Sequence, residues 1–282
     1  MRIGGATVVA GLVGRPIGGS LSPAIHNAWL AHTGLDGIYV PLEIADGEAL
    51  VALVRGLRGG TSVRGLNVTA PFKEQALAAA DQADGVAEAA GAANLLLFEA
   101  EGSVSARNTD GLGLLYALGA QAGMDVRGAR AVVLGAGGAA RGAVSTLLAA
   151  GAAEVRIVNR TRERADVLAR SLGRGCSAWA WSDQAEAVEN ADLLINATTL
   201  GREGGEPLEV SLDGLARCAT VMDMGYRPLR SALLGEAELR GLRVADGLAM
   251  LIGQAIPTFE AVFGRPPPGD LDIRAVALEA MG

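Results

Sequence analysis

Arg130-Ala131-Val132-Val133-Leu134-Gly135-Ala136-Gly137-Gly138-Ala139-Ala140-Arg141 reads as a buried strand, a tight glycine turn and the opening of a helix that continues to about Ala150. A strand of unbroken apolar residues is the mark of a parallel sheet covered on both faces. Outward from it, a second strand is expected over Glu154 to Val158, a helix from about Arg162 to Leu172, and further strands over Asp192 to Ala197 and Thr220 to Asp223. This rhythm predicts a doubly wound α/β domain of the Rossmann type. Because the glycine turn lies at 135, a separate domain must precede it. There, strands are expected over Thr7 to Val13, Ile38 to Ile44, Arg64 to Val68 and Asn94 to Phe98, and helices over about 22–32 and Gly47 to Leu57. Ser22-Pro23 reads as an N-cap followed by Pro at the first helical position. The first domain is therefore a mostly parallel α/β domain. A long apolar helix from about Leu248 to Phe263 and a last one from Asp270 are expected to return to it, leaving a cleft between the two domains. The expected boundaries are 1–109 with 247–282 for one domain and 110–246 for the other.

The glycine turn carries chemistry. Gly135 makes the turn, Gly137 lets the backbone approach a pyrophosphate, and the small Ala140 permits close helix–strand packing; Ala136, Gly138 and Ala139 complete the loop at the helix N-terminus. The plainer alternative is a glycine-rich loop in a chain with 40 glycines. The end of the second strand chooses the cofactor. A site for NAD would carry an acid there to hold the ribose 2′-hydroxyl. Here the residues are Asn159-Arg160-Thr161-Arg162-Glu163-Arg164. Arg160 can fork or stack on a 2′-phosphate, Arg164 can join it, and Asn159 and Thr161 offer neutral hydrogen bonds. The expected cofactor is NADP. Arg162, beside Glu163, reads as a solvated helix face.

Composition narrows the function. The 282 residues carry a formal net charge of −7, which gives duplex nucleic acid no broad basic face. Apolar stretches fall short of the roughly 20 residues that cross a bilayer, and the first residues show no leader pattern, so neither a nucleic acid nor a membrane is an expected partner and a cytoplasmic location is expected. Cys176 and Cys218 read as reduced small hydrophobes, and no metal site is expected. His26 and His32 read as structural or solvated. Of 24 basic side chains only Lys73 is a lysine. Arg keeps its proton, whereas an amine can exchange one, so on the count alone Lys73 reads equally as a proton-transfer group or as an accident of composition. It lies within a turn of a helix opened by Pro71, just after a strand end carrying Asn67 and Thr69, where open α/β sheets collect ligands. Asp110 could reach the same cleft; an amine with a carboxylate makes a proton-transfer dyad. Spacing alone leaves open a simple surface ion pair.

Taken in order, Ser20-Leu21-Ser22-Pro23, Asn67-Val68-Thr69-Ala70-Pro71-Phe72-Lys73-Glu74, Ala90-Gly91-Ala92-Ala93-Asn94, Asn108-Thr109-Asp110-Gly111, Gly135-Ala136-Gly137-Gly138, Asn159-Arg160-Thr161, Asn196-Ala197-Thr198 and Gly247-Leu248-Ala249-Met250-Leu251 resemble the shikimate dehydrogenase family over nearly the whole chain. The resemblance implies reversible NADPH-dependent reduction of 3-dehydroshikimate to shikimate in aromatic amino-acid biosynthesis. It makes Lys73 and Asp110 the catalytic pair and Ser20 and Ser22 the ligands of the substrate carboxylate. Asn67, Thr69, Asn94, Tyr226 and Gln254 would hold the ring hydroxyls, and Thr198 joins the cofactor site. It implies a substrate-binding and catalytic domain and a Rossmann NADP-binding domain, with a monomer or homodimer as the assembly. The chain departs from the family pattern at Gly19, Leu95, Arg107 and Arg202, which bears on ring specificity. Relatives acting on quinate or amino-shikimate-type rings are the near alternatives, and a non-catalytic ligand sensor is the distant one. Retention of both Lys73 and Asp110 favours an enzyme.

Overall fold

The structure, a computed structural model, describes residues 3–282. The chain divides into two units, Met1–Thr109 with Gln254–Gly282, and Asp110–Gly253. In the first the elements run β1 (Val8–Gly14), α1 (Ser22–Thr33), β2 (Gly37–Glu43), α2 (Gly47–Leu57), β3 (Val63–Val68), α3 (Lys73–Ala79), β4 (Gln82–Ala83), α4 (Gly85–Ala90), β5 (Leu95–Phe98) and β6 (Val104–Arg107). The second holds α5 (Asp110–Ala122), β7 (Arg130–Leu134), α6 (Gly138–Ala149), β8 (Glu154–Asn159), α7 (Arg162–Leu172), β9 (Cys176–Ala180), α8 (Gln184–Ala187), β10 (Leu193–Asn196), β11 (Thr220–Asp223), α9 (Ala232–Leu239) and β12 (Arg243–Asp246). Helix α10 (Gly247–Phe263) begins in the second unit and ends in the first, which α11 (Ile273–Met281) completes. The chain thus changes unit after Gly253 rather than at Gly247, because α10 is one continuous helix whose Ala249 still packs with Met222 and Ala245 of the second sheet.

The second sheet is parallel throughout, in the order β12-β11-β10-β7-β8-β9. Strand order reverses between β10 and β8 around β7, which makes the carboxyl end of β7 the switch point where such sheets bind dinucleotides. Its residues explain the arrangement. Ala131 and Val133 join the apolar side chains of α5, α6 and α7 on one face, while Val132 and Leu134 join those of α8 and α9 on the other. Four consecutive strand residues are fully buried as a result.

The first sheet has the order β2-β1-β3-β5-β6-β4, and only β5 opposes its two sheet neighbours. Alternation divides its faces: Val13, Leu66, Val68, Leu96 and Phe98 pack toward α2 and α3, and Ala10, Leu12, Tyr39, Leu95 and Leu97 toward the other side, where Val262 of α10 lies. A Cβ on Gly14, at the end of β1, would sit 2.3 Å from the Thr69 methyl, so a glycine is required for the turn after β3 to close on β1. Ser22 is the first helical residue of α1 and Leu21 its cap, with no side-chain capping bond. The expectation of Ser22 as N-cap is corrected: the helix starts one residue earlier, and the Ser22 amide donates instead to Ser20 Oγ at 3.3 Å.

His26 is wholly buried between aromatic rings, stacked on Tyr39 at 4.2 Å and edge-on to Trp29 at 5.5 Å. Burial penalises the imidazolium and lowers its pKa from 6.5 to about 3. The unfolded chain therefore binds one more proton than the native state between those values. Stability is full above the unfolded pKa and falls as pH drops through this window, by up to about 1.4 kcal/mol per pH unit. Denaturant unfolding at pH 7 and pH 5 is expected to differ by about 2 kcal/mol from this residue, and His26→Phe to remove that difference; an unchanged difference would mean the proton is taken up elsewhere. The lowered Asp81, Asp125, Asp192 and Asp213 carboxyls, held by Arg58, Arg127, Arg130 and Arg240, act at lower pH.

Among the described residues no helix is long and apolar enough to cross a membrane, and no group of three or more His, Cys, Asp or Glu could hold a metal ion.

Candidate active site

In the first unit, polar side chains distant in sequence meet in one buried cluster. Asn67 is the penultimate residue of β3, Asn94 precedes β5, Thr109 follows β6, and Gln254 and Thr258 lie one turn apart on α10. All five are less than a tenth exposed. Asn94 Nδ2 donates to Thr109 Oγ1 at 2.9 Å and to Gln254 Oε1 at 3.4 Å, while the Thr109 amide donates to Asn94 Oδ1 at 2.8 Å. Asn67 Nδ2 donates to the Asn94 carbonyl at 3.0 Å and to Thr258 Oγ1 at 3.3 Å. Buried polar groups persist only when satisfied, so this cluster has a defined orientation rather than a choice of rotamers.

Lys73 opens α3 beside the same cluster. Phe72, 4 % exposed, anchors the turn before it, and the Lys73 carbonyl accepts from the Ala93 amide at 2.9 Å, tying the helix start to the residue before Asn94. Pro71 follows a cis peptide bond. The Thr69 amide donates to the Val13 carbonyl at 2.8 Å, and its methyl covers Gly14, which leaves the side chain half-buried at the strand end. Ser20 is half-buried and Ser22 buried at the start of α1. Within the first unit, hydrogen bonds therefore join Asn67, Asn94 and Gln254, while Ser20 and Ser22 stand at the start of α1, Thr69 just after β3 and Lys73 at the start of α3. Asp110 is the first residue of α5, directly after Thr109, and Tyr226 lies in the loop after β11; both belong to the second unit.

In the second unit the glycine turn has the geometry a dinucleotide needs. Gly135 takes φ +109°, which side-chain-bearing residues rarely adopt, and a Cβ there would crowd Thr198 Cγ2 at 3.2 Å and the Ala197 carbonyl at 3.3 Å. Gly137 caps α6 without any side-chain bond, and a Cβ at Gly137 or Gly138 would meet nothing within 4 Å. The helix N-terminus is thus clear of protein where a pyrophosphate would lie. Ala136 and Ala139 flank the opening. Thr198 Oγ1 donates to Asn196 Oδ1 at 2.7 Å and accepts from the Leu200 amide at 3.0 Å, which sets the turn after β10 against the glycine loop. At the tip of β8, Asn159 Nδ2 donates to the Thr161 carbonyl at 2.8 Å, and Arg160, Thr161 and Arg164 are exposed. Arg160 Nη1 pairs with Glu206 Oε2 at 3.0 Å, with both side chains about two-thirds exposed or more. These residues fit NADP: an open helix N-terminus for its pyrophosphate and two exposed guanidinium groups, with no acid at the strand tip itself.

A two-unit α/β protein with a dinucleotide turn in one unit and a lysine beside a buried amide and hydroxyl cluster in the other is a nicotinamide-dependent dehydrogenase by class. Comparison with known proteins gives the family. Residues 12–96 match the shikimate dehydrogenase substrate binding domain and residues 117–202 the shikimate / quinate 5-dehydrogenase domain. The chain is 52 % identical over 281 residues to a shikimate dehydrogenase (NADP+) of Caulobacter vibrioides, covering 99 % of this chain and 98 % of that one. It is 45 % identical over 271 residues to the corresponding protein of Dinoroseobacter shibae, covering 96 % and 97 %. Its structure resembles that of shikimate 5-dehydrogenase from Thermus thermophilus in complex with NADP(H) and shikimate, with a TM-score of 0.86, 35 % identity and coverage of 97 % and 100 %. The chain belongs to the shikimate dehydrogenase family.

Motif reading does not single out as binding residues the cluster members Thr109 and Thr258, or Tyr39, whose hydroxyl donates to Asn67 Oδ1 at 2.8 Å. For Thr258 a signal existed, since it lies four residues after Gln254 on the same helix face. For Tyr39 none did, because a tyrosine in an alternating strand reads as core.

Proposed function

We propose that this protein catalyses the reversible, NADP-dependent reduction of 3-dehydroshikimate to shikimate. The observation that carries the reading is the buried Asn94–Thr109–Gln254 cluster, whose Asn94 follows the residue that is hydrogen-bonded to the main chain of Lys73, the only lysine of the chain. It supplies fixed donors and acceptors for a ring rich in hydroxyls beside a group able to exchange a proton.

Bound NADPH supplies the hydride equivalent that converts the ring carbonyl to an alcohol. The protein supplies position and the proton. Ser20 and Ser22, with the uncapped start of α1, hold the substrate carboxylate, as a helix N-terminus favours an anion. Thr69, Asn94, Gln254 and Tyr226 hold the ring hydroxyls, and Asn67 supports them. Lys73, as an ammonium, gives its proton to the carbonyl oxygen as negative charge develops there; in the reverse direction its amine takes the hydroxyl proton. Asp110 is its carboxylate partner, favouring the charged amine and restraining its position. Gly135, Ala136, Gly137, Gly138 and Ala139 would receive the pyrophosphate; Asn159, Arg160, Thr161 and Arg164 the adenosine 2′-phosphate; and the Thr198 turn supports the dinucleotide. We place the protein in the cytoplasm, as a monomer or homodimer.

The test follows nicotinamide absorbance with purified protein, offering shikimate and quinate, each with NADP and with NAD. Turnover with shikimate and NADP above the other three combinations is expected. Preference for quinate would assign the ring specificity differently, and no turnover in any combination would remove the enzymatic reading.

A further inference from the structure

Asn67 spends its hydrogen-bonding capacity inside the first unit. Both Nδ2 hydrogens are engaged, by the Asn94 carbonyl at 3.0 Å and Thr258 Oγ1 at 3.3 Å, and Oδ1 accepts from the Tyr39 hydroxyl at 2.8 Å. The Asn94 carbonyl can only accept, so Nδ2 must face it and Oδ1 must face Tyr39. Thr258 Oγ1, having accepted from Asn67, donates onward to the Gln254 carbonyl at 3.2 Å. The result is a chain of bonds with one direction, from Tyr39 through Asn67 and Thr258 to the main chain of Gln254, with a branch to the main chain of Asn94.

Tyr39 is itself held at three points. Its amide donates to Asn27 Oδ1 at 3.0 Å, its carbonyl accepts from Asn27 Nδ2 at 2.8 Å, and its ring stacks on His26 with an interplanar angle of 3°. Only 2 % of it is exposed. Burial also pushes its phenol pKa well up, so the hydroxyl remains a donor throughout the working pH range. A residue so constrained is a fixed reference against which a softer amide can be oriented.

We infer that Tyr39 and Asn67 are positioning residues for substrate binding: the Tyr39 hydroxyl orients the Asn67 amide, and that amide, with Thr258, fixes the segments that present Asn94 and Gln254 to the ring hydroxyls. The inference rests on the proposed function, and it gives Asn67 a bracing role in place of the direct contact that motif resemblance implied.

Tyr39→Phe keeps the ring and its stack and removes one donor; Thr258→Val keeps the shape and removes the hydroxyl. Each is expected to raise KM for shikimate about 3- to 10-fold, the scale of one lost hydrogen bond, with kcat within about twofold and KM for NADP unchanged. Shikimate affinity from calorimetry is expected to fall by the same factor. Because both act through Asn67, the double variant is expected to show less than the product of the two single effects. Wild-type KM and affinity for shikimate in both variants, with only a lowered Tm, would overturn the positioning role while leaving the function standing. Equal rises in KM for shikimate and NADP, or effects that multiply, would overturn it too. A wild-type protein that neither binds nor oxidises shikimate would remove the function on which the inference rests.

Discussion

Lys73→Ala is expected to lower turnover with shikimate and NADP by roughly 10²- to 10⁴-fold with little change in KM, the range for losing a positioned acid–base group. The expectation follows from where the residue is placed and from what it alone can do. Lys73 begins α3, with the buried Phe72 before it and its carbonyl bonded to the Ala93 amide, so its backbone is fixed relative to Asn94. Every other basic side chain except the two histidines is an arginine, which holds its proton too tightly to exchange it with an alcohol. Lys73→Arg is therefore the sharper variant. It keeps the charge and should still be inactive if proton exchange is the role, whereas recovery of wild-type turnover in Lys73→Arg would reduce Lys73 to an electrostatic contact. Near-normal turnover in Lys73→Ala would remove it from the chemistry.

Arg160→Ala is expected to raise KM for NADP by roughly 10- to 100-fold and leave KM for NAD nearly unchanged, since hydrogen bonds to a charged group contribute about 1.5–3 kcal/mol. Arg160 stands exposed at the tip of β8 and pairs with Glu206 at 3.0 Å. An exposed pair of this kind contributes about 0–1 kcal/mol, so a 2′-phosphate dianion can take the guanidinium from the carboxylate. The effect should shrink as salt rises, because both charges are open to solvent. Equal losses for NADP and NAD would show that Arg160 supports the dinucleotide fold rather than the 2′-phosphate, and no loss for either would assign the phosphate to other groups.

Much of the architecture was legible because its signals are local. The strand Arg130–Leu134, buried from Ala131 onward, and the glycine turn after it specify strand, turn and helix within a dozen residues, and the helix Gly47–Leu57 and strand Thr220–Asp223 have the bounds that periodicity gives. What escaped was set by partners far away. Strand β4 is only Gln82–Ala83 and exists because it pairs with Ser105 and Ala106 of β6. Strand β12 begins with exposed Arg243, whose side chain reaches the carbonyls of Ala122 and Cys218. At the start of α1, Ser22 has the residue type of an N-cap, yet Leu21 occupies that position, since the turn from Ile17 to Ser20 delivers the chain into the helix one residue sooner.

The candidate site divides the same way. Gly135, which needs a positive φ, and a strand tip bearing arginine in place of an acid carry their meaning in a few adjacent residues. The Asn94–Thr109–Gln254 cluster spans more than 150 residues of chain and was reachable only through motif order. Tyr39 was reachable by neither route, because its hydroxyl finds Asn67 across the sheet.

The central claim is transfer of hydride between the nicotinamide and a ring carbon, and isotope transfer measures it directly. NADPH doubly deuterated at nicotinamide C4 is incubated with 3-dehydroshikimate and the purified protein, and the product is analysed by mass spectrometry and NMR. Shikimate carrying one deuterium on the carbon that bore the carbonyl is the predicted result. Formation of no shikimate, or of shikimate without deuterium at that carbon, would contradict it.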